Sequence, residues 1–318
     1  MPHFPITDME TNTLAVAALC SLLHLDATMK PLTSKEWRML MQEMQFLQIM
    51  PADLLQYRTE TFQEVFQWNS RYIERIQRLL DRCNDLSFVI EELAEQGIFL
   101  LTQIDPAYPV QLKEKLVNRC PPLFYIAGMP ALLQQNAIGY VGMRRFADED
   151  IAFTKNIVRK MLQHGYYLGV SGGAKGIDSI AEQETLAQGG SMAIYAADSL
   201  LHRLKNPTTR RLVEQGKLIL LSAVDPDATF FSGTAIMRNE YIYAQSIRTI
   251  IIHSNYQKGG TWGGAVNCLQ RRLCPLYCWN HKEYPGNQML IRMGAYPIDE
   301  TWNGDITNTI EWDEQLTI

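Results

Sequence analysis

From Ile98 onward, short apolar runs alternate with helix-forming runs, and that alternation leaves the chain few architectures. The apolar runs are IFLLTQ, LFYIAG, AIGYVG, YYLGVSG, SMAIYAA, KLILLS, IRTIIIHS and CPLYCWN. From AIGYVG on, the stretches between them, such as ADEDIAFTKNIVRKMLQHG and KGIDSIAEQETLAQGG, read as helices. A strand that is apolar at every position is buried on both faces, so it belongs inside a parallel sheet with helices on either side. In a sheet of that kind, ligands bind beyond the carboxyl ends of the strands, where the strand order reverses.

The first 97 residues read differently, as an all-helical domain. LAVAALCSLLHL is one helix; PLTSKEWRMLMQEMQFLQIM opens with Thr33 three residues before Glu36, a capping-box spacing. A third segment, PADLLQYRTETFQEVFQWNSRYIERIQRLL, follows, and LSFVIEELAEQG closes with Gly97 as a C-terminal cap. Nothing here marks chemistry; a packing or partner-binding role is expected. The chain thus divides into a helical domain (1–97), an α/β core (98–298) and an acidic tail (299–318).

Composition places the chain among soluble globular proteins, with 47% apolar and 20% charged residues. No apolar run reaches the ~18 residues of a membrane span, and the opening MPHFPITDMETNT lacks the pattern of a secretion signal. The six cysteines (20, 83, 120, 268, 274, 278) are then expected to be free thiols of a cytoplasmic protein. Cys274 and Cys278 fall on one face of a strand; with no second pair at knuckle spacing, no metal site is expected.

The net charge of −5 excludes a generally basic surface, but the charge is uneven. The last twenty residues hold six acids and no Lys or Arg. The run LHRLKNPTTRRLVEQGK carries Arg203, Lys205, Arg210, Arg211 and Lys217 against Glu214 alone. Such a run is either a local cationic surface or a solvated helix face.

Three glycine-rich segments lie where the chain leaves a strand for a helix. VGMRR contributes Gly142, Arg144 and Arg145; SGGAKGID contributes Ser171, Gly172, Lys175 and Gly176; KGGTWGGA contributes Lys258, Gly259, Gly260 and Thr261. All three fall on one edge of the sheet. Helix N-termini there offer unpaired N–H groups and a positive dipole end, and glycine lets an anion approach the backbone closely. The chemistry asks for an anion, most simply phosphate, although glycines also serve as plain turn residues. The spacing matches neither the dinucleotide fingerprint nor the P-loop. Asp178, in the first turn of its helix, suits the dipole. Arg238 and Asn239 lie in a helix-like run after Phe230 and Phe231, from which Arg238 can reach the same edge.

Taken in order, these motifs resemble the DprA/Smf family of DNA-processing proteins, over about Gly97 to Pro297. The matching segments are GIFLLTQIDPAYPVQLKEKLVNRCPPLFYIAG, YVGMRR, SGGAKGID, FSGTAIMRNEYI and PGNQMLIRMGA, the last containing Asn287. The resemblance implies a Rossmann-like, doubly wound, mostly parallel sheet that binds single-stranded DNA in a basic pocket without nucleotide turnover, cofactor or metal. By resemblance Arg144 and Lys175 hold phosphates, Gly142, Ser171, Gly172 and Gly176 shape the loops, and Arg238 with Asn239 belongs to the pocket. Asp178 and Asn287 take structural places. The implied partners are a second copy of the chain and a RecA-type recombinase or an operon-encoded protein. The implied settings are recombination and natural transformation; the departures that follow point instead to antiviral defence. Departures from the family pattern are Met143 for a small residue, Glu182 for a histidine, the Lys258–Thr261 segment, and an acidic tail where many members carry a winged helix.

Two other readings stay open at this level. A phosphate pocket also suits a nucleotide-binding sensor; hydrolysis is disfavoured because KGGTWGGAVN lacks the catalytic glutamate of the related phosphoribohydrolases. A regulatory subunit of a defence or toxin–antitoxin pair would use the helical domain as its grip. Phe146, Tyr256 and Trp262 are candidate base-stacking residues.

Overall fold

The computed structural model describes residues 8–26 and 28–307. The last eleven residues of the expected acidic tail, with Trp312, lie outside the described residues. Among the described residues no helix is long and apolar enough to cross a membrane, and no group of three or more His, Cys, Asp or Glu is placed to hold a metal ion.

The chain forms two compact units, Met1–Tyr108 with Val117–Ile126, and Pro109–Leu116 with Ala127–Ile318. The first contains helices α1 (Asp8–Cys20), α2 (Ser34–Leu47), α3 (Thr59–Phe66), α4 (Ser70–Leu80) and α5 (Cys83–Glu95), then strands β1 (Phe99–Thr102) and β2 (Leu123–Ala127). These strands pair antiparallel, Phe99 opposite Ile126. Thr33 and Glu36 form the expected capping box at α2, and Gly97 follows α5 with φ +79°. The first helix ends earlier than its apolar run suggests. The buried Arg82 donates to the carbonyls of Ala17, Ala18, Ser21 and Leu23, taking the acceptors a longer helix would use. The long run from Pro51 to Leu80 is broken into a 3-10 turn at Pro51–Gln56, α3 and α4. Asn69 caps α4 by accepting from the Tyr72 N–H.

The second unit carries the sheet that positions the candidate site. Its elements are α6 (Val110–Leu116), β3 (Ala137–Val141), α7 (Asp148–Gln163), β4 (Leu168–Ser171), α8 (Ile177–Ala187), β5 (Ser191–Tyr195), α9 (Leu200–Leu204), α10 (Pro207–Glu214), β6 (Leu218–Ser222), α11 (Ser232–Gln245), β7 (Arg248–Ile251), α12 (Gly259–Arg271), β8 (Leu276–Trp279), α13 (Pro285–Arg292) and β9 (Tyr296–Ile298). Seven strands run parallel in the order β6-β5-β4-β3-β7-β8-β9. The chain builds outward from β3 to β6, then returns to lay β7 on the other side of β3. The order therefore reverses between β3 and β7, as in doubly wound Rossmann-like folds. Strands β3 to β6 are buried at every position, which is why they read as unbroken apolar runs.

Helices α7 and α8 cover one face: Phe153, Ile157 and Met161 of α7 join Ile180 and Ala181 of α8 over Ile138 and Tyr140 of β3. α11 packs against β3, β4 and β5, and α12 packs against α11 and α13. The sequence reading of Cys274 and Cys278 as neighbours on one strand face needs correction. β8 begins at Leu276, so Cys274 sits before it, with its Sγ 3.9 Å from the Cys268 Sγ and 3.3 Å from the Thr249 hydroxyl. All three sulfurs are buried free thiols.

Candidate functional site

β3, β4 and β7 end at one edge, and the loops that leave them interlock. The Ile177 N–H donates to the Met143 carbonyl at 3.2 Å, joining the loop after β3 to the turn after β4. The Thr261 hydroxyl donates to the Gly142 carbonyl at 2.9 Å, joining α12 to the same loop across the point where the strand order reverses. The Asn239 amide donates to the Gly260 carbonyl at 3.3 Å. One residue before it on α11, Arg238 donates to the Tyr195 carbonyl at the end of β5 and lies against Gly172. A Cβ on Gly142 would stand 2.5 Å from the Ile177 side chain, and one on Gly172 would overlap the Arg238 guanidinium. These glycines are required for close approach, whatever the ligand.

The interlock leaves an open pocket of ≈ 220 Å³ floored by Gly172, Gly173 and Ala174. Four cations line it: Arg144, Lys175, Arg203 and Arg238. Arg144 and Lys175 are exposed, one from each of two loops. Arg203 is held by Asp198 at 2.7 Å and by the Gly173 carbonyl at 3.4 Å. Arg238 is only 7% exposed, and its Nε has no hydrogen-bond partner among the described residues. The Arg238 guanidinium therefore borders the pocket while its Nε is sealed from solvent, with its bonding capacity unmet. Phe230 lines the same pocket, with the Arg144 guanidinium 5.8 Å above its ring.

Three groups beneath the floor set the electrostatics. Asp178 accepts from the Gly172 N–H at 3.2 Å. Burial raises its pKa; Arg238 and the N–H groups of Gly172, Ala174 and Gly142 pull the other way. It is thus a hub that gathers the loop backbones as well as an acid in the first turn of α8. Ser171 is fully buried; its hydroxyl donates to Glu182 at 2.5 Å and accepts from the Gly173 N–H. Burial lifts Glu182 to about 7, with the Asp178 charge adding to the shift, while Ser171, Arg203 and Arg238 oppose it. Below pH 7 this carboxyl is mostly neutral and adds no negative charge beneath the pocket, where Asp198 already pairs with Arg203 and Asp178 faces Arg238.

A pH dependence follows. As pH rises through about 7, Glu182 loses its proton and sets a negative charge under the pocket. The raised folded-state value also means that its contribution to stability is full below about 4.5 and lost through about 7. Affinity for a polyanion is expected to weaken about tenfold between pH 6 and pH 8. A Glu182→Gln protein, which can still accept from Ser171, is expected to bind equally at both. Equal pH dependence in the two proteins would remove Glu182 from the site's electrostatics. Fluorescence titration at the two pH values reads the difference.

The structure thus brings Arg144, Gly172, Lys175 and Arg238 to one pocket, while Gly142, Ser171, Gly176, Asp178, Asn239, Gly260 and Thr261 do not line it and take part in the hydrogen bonds and close contacts that join the neighbouring loops and helices. Arg145, Lys258 and Gly259 are exposed and do not line it. Asn287 is fully buried and donates to the carbonyls of Ile252 and Trp279, so it ties α13 to the ends of β7 and β8. Of the candidate stacking aromatics, Phe146 is 45% exposed, while Tyr256 packs edge-on against Trp262. Arg203, Asp198 and Phe230 are pocket residues that sequence reasoning did not place. In the sequence Arg203 stands only as one member of a basic run.

Fold and pocket together define a class: a Rossmann-like protein with a cationic, glycine-floored pocket at its strand ends. The family model for DNA recombination-mediator protein A matches residues 99–310, more than half of the chain. The chain belongs to that family of DNA-processing proteins. Among solved structures, DNA processing protein A from Streptococcus pneumoniae superposes with a TM-score of 0.65 at 16% identity, covering 93% of this chain and 95% of that one. DNA processing protein A from Helicobacter pylori, whose structure is described as showing a single-stranded DNA binding mode, gives 0.52 at 24% identity, covering 63% and 90%. At these identities the likeness is one of fold. No individual curated protein sequence matches the chain.

Proposed function

We propose that this protein binds single-stranded DNA by its phosphate backbone at the carboxyl edge of the sheet. The observation that carries the reading is the convergence of Arg144, Lys175, Arg203 and Arg238 on one glycine-floored pocket. Backbone N–H groups and guanidinium forks suit phosphate, and Phe230 at the pocket wall offers a face on which a base can stack. Family membership supports the choice of a DNA strand over other polyanions. In this reading residues 98–298 form the binding core and the protein holds its strand without chemical turnover. It acts in the cytoplasm as a homodimer, handing DNA to a RecA-type recombinase or to an operon-encoded partner in recombination, natural transformation or defence.

The test is a titration of a labelled oligonucleotide across a salt series. Four phosphate contacts predict that log K falls against log salt with a slope of about −3, from ~0.7 per contact on a single strand. A flat salt response, or saturation by a free nucleotide that DNA does not displace, would replace this reading with a nucleotide sensor.

A further inference from the structure

The basic run LHRLKNPTTRRLVEQGK is the one charged feature that the pocket only partly uses. Its first cation, Arg203, lines the pocket. β5 ends at the pocket edge and β6, parallel to it, starts at the opposite edge, so the intervening chain must descend the flank of the sheet. α9 and α10 make that descent, carrying Lys205, Arg210 and Arg211 away from Arg203. All three are exposed, and none forms an ion pair with a described residue. Lys217, at the far end, donates to the Gly189 carbonyl.

α10 is an unusual crossover helix. It is well started, with Pro207 in its first turn and Asn206 accepting from the N–H groups of Thr208 and Thr209. Yet none of its eight residues is buried. A helix on the flank of a parallel sheet ordinarily contributes an apolar stripe to the core. This one packs on β6 with Leu212 and Val213 only half-buried, and it carries Arg210 and Arg211 against a single acid, Glu214, in a chain whose net charge is −5. Nearness along the chain selects the ligand: Lys205 caps the helix that carries Arg203, and α10 begins two residues later.

We infer that the α9–α10 flank is a second tract of the nucleic-acid site, along which a single strand continues out of the pocket and down the side of the sheet. The inference rests on the proposed function and extends it from a point receptor to a track. The pocket then fixes one end of the bound strand, and the flank makes affinity depend on strand length.

The experiment compares oligothymidylates of about 4 and about 20 nucleotides on the native protein and on K205A/R210A/R211A, whose substitutions are all exposed. The triple variant is expected to bind the short strand as the native protein does. It is expected to bind the long one at least tenfold more weakly, with the salt slope reduced by about 2. Equal binding of the long strand by both proteins overturns the track and leaves the pocket reading standing. An equal loss for both lengths also overturns it, placing these cations in a general field around the pocket. If poly-glutamate displaces the long strand from the native protein as well as unlabelled DNA does, the flank is a docking face for acidic protein instead. A native protein that binds neither length fails the proposed function itself, and the track with it.

Discussion

Replacing Arg144 and Lys175 together by alanine is expected to weaken single-stranded DNA binding by a hundredfold or more while leaving the fold intact. Both side chains are exposed. Arg144 has a ring contact with Phe230, and Lys175 has no ion pair with a described residue, so little stability depends on either. Both line the pocket from loops held together by the Ile177–Met143 hydrogen bond. A hydrogen bond to a charged group contributes about 1.5–3 kcal/mol. At the lower end, as befits exposed side chains, two lost contacts amount to about 3 kcal/mol, or roughly two decades in Kd. The salt slope should fall by about 1.4 at the same time, because each contact releases ~0.7 of a counterion on a single strand. A weaker complex with an unchanged slope would mean that the loss came from loop disorder, with the phosphate contacts intact. Native-like binding by the double variant would place the DNA elsewhere on the molecule. Arg238→Ala is a poorer probe, since removing a buried guanidinium that neighbours Asp178 and bonds to Tyr195 disturbs the sheet end as well.

Much of the α/β core was legible because burial on both faces forces parallel strands to be apolar throughout, and a glycine-rich turn announces the exits of β3, β4 and β7. Those two signals are local, and they locate Gly142, Gly172 and Gly176 at the edge without any knowledge of contacts. Residues whose place depends on distant chain were harder to read. Arg203 reaches the pocket only because the five-residue α9 follows β5 directly, and its guanidinium is fixed by Asp198 and by Gly173 thirty residues earlier. Glu182 follows Asp178 by one helical turn, so its nearness was readable; its burial under Ser171 was not. In the helical unit, α1 stops at Cys20 because Arg82 claims its terminal carbonyls from some sixty residues away. The breaks between Pro51 and Leu80 were partly written in the sequence: Asn69 is a good N-cap residue, whereas Gln67 ends α3 in a left-handed conformation (φ +55°) that composition does not announce. α13 has a proline at its start but is short, and the three-residue β9 behind it is too brief for apolar alternation to mark it.

Gly176→Ala is expected to be the most damaging single-methyl change at the site, in stability and in binding together. Gly176 sits at the N-terminus of α8 with φ +102°, a conformation that L residues rarely adopt and that costs about 1–3 kcal/mol to impose. The added Cβ would also meet backbone, overlapping the Met143 carbonyl oxygen and standing 2.6 Å from the Arg144 Cα. A backbone neighbour cannot swing aside as a side chain does, so the loop after β3 must move away from the turn after β4; overpacking of this kind adds roughly 1–3 kcal/mol. That movement would break the Ile177–Met143 hydrogen bond and separate Arg144 from Lys175, the pair on which the proposed phosphate grip depends. Gly189→Ala is the control. Gly189 has a similar φ of +88° but nothing within 4 Å of the added Cβ, and it lies after the C-terminus of α8, at the other end of that helix from the pocket. Thermal denaturation should show a drop for Gly176→Ala about twice that for Gly189→Ala, and DNA binding should be lost in the first and kept in the second. If both proteins lose stability equally and both still bind DNA, the contact between the two loops does not hold the site in shape.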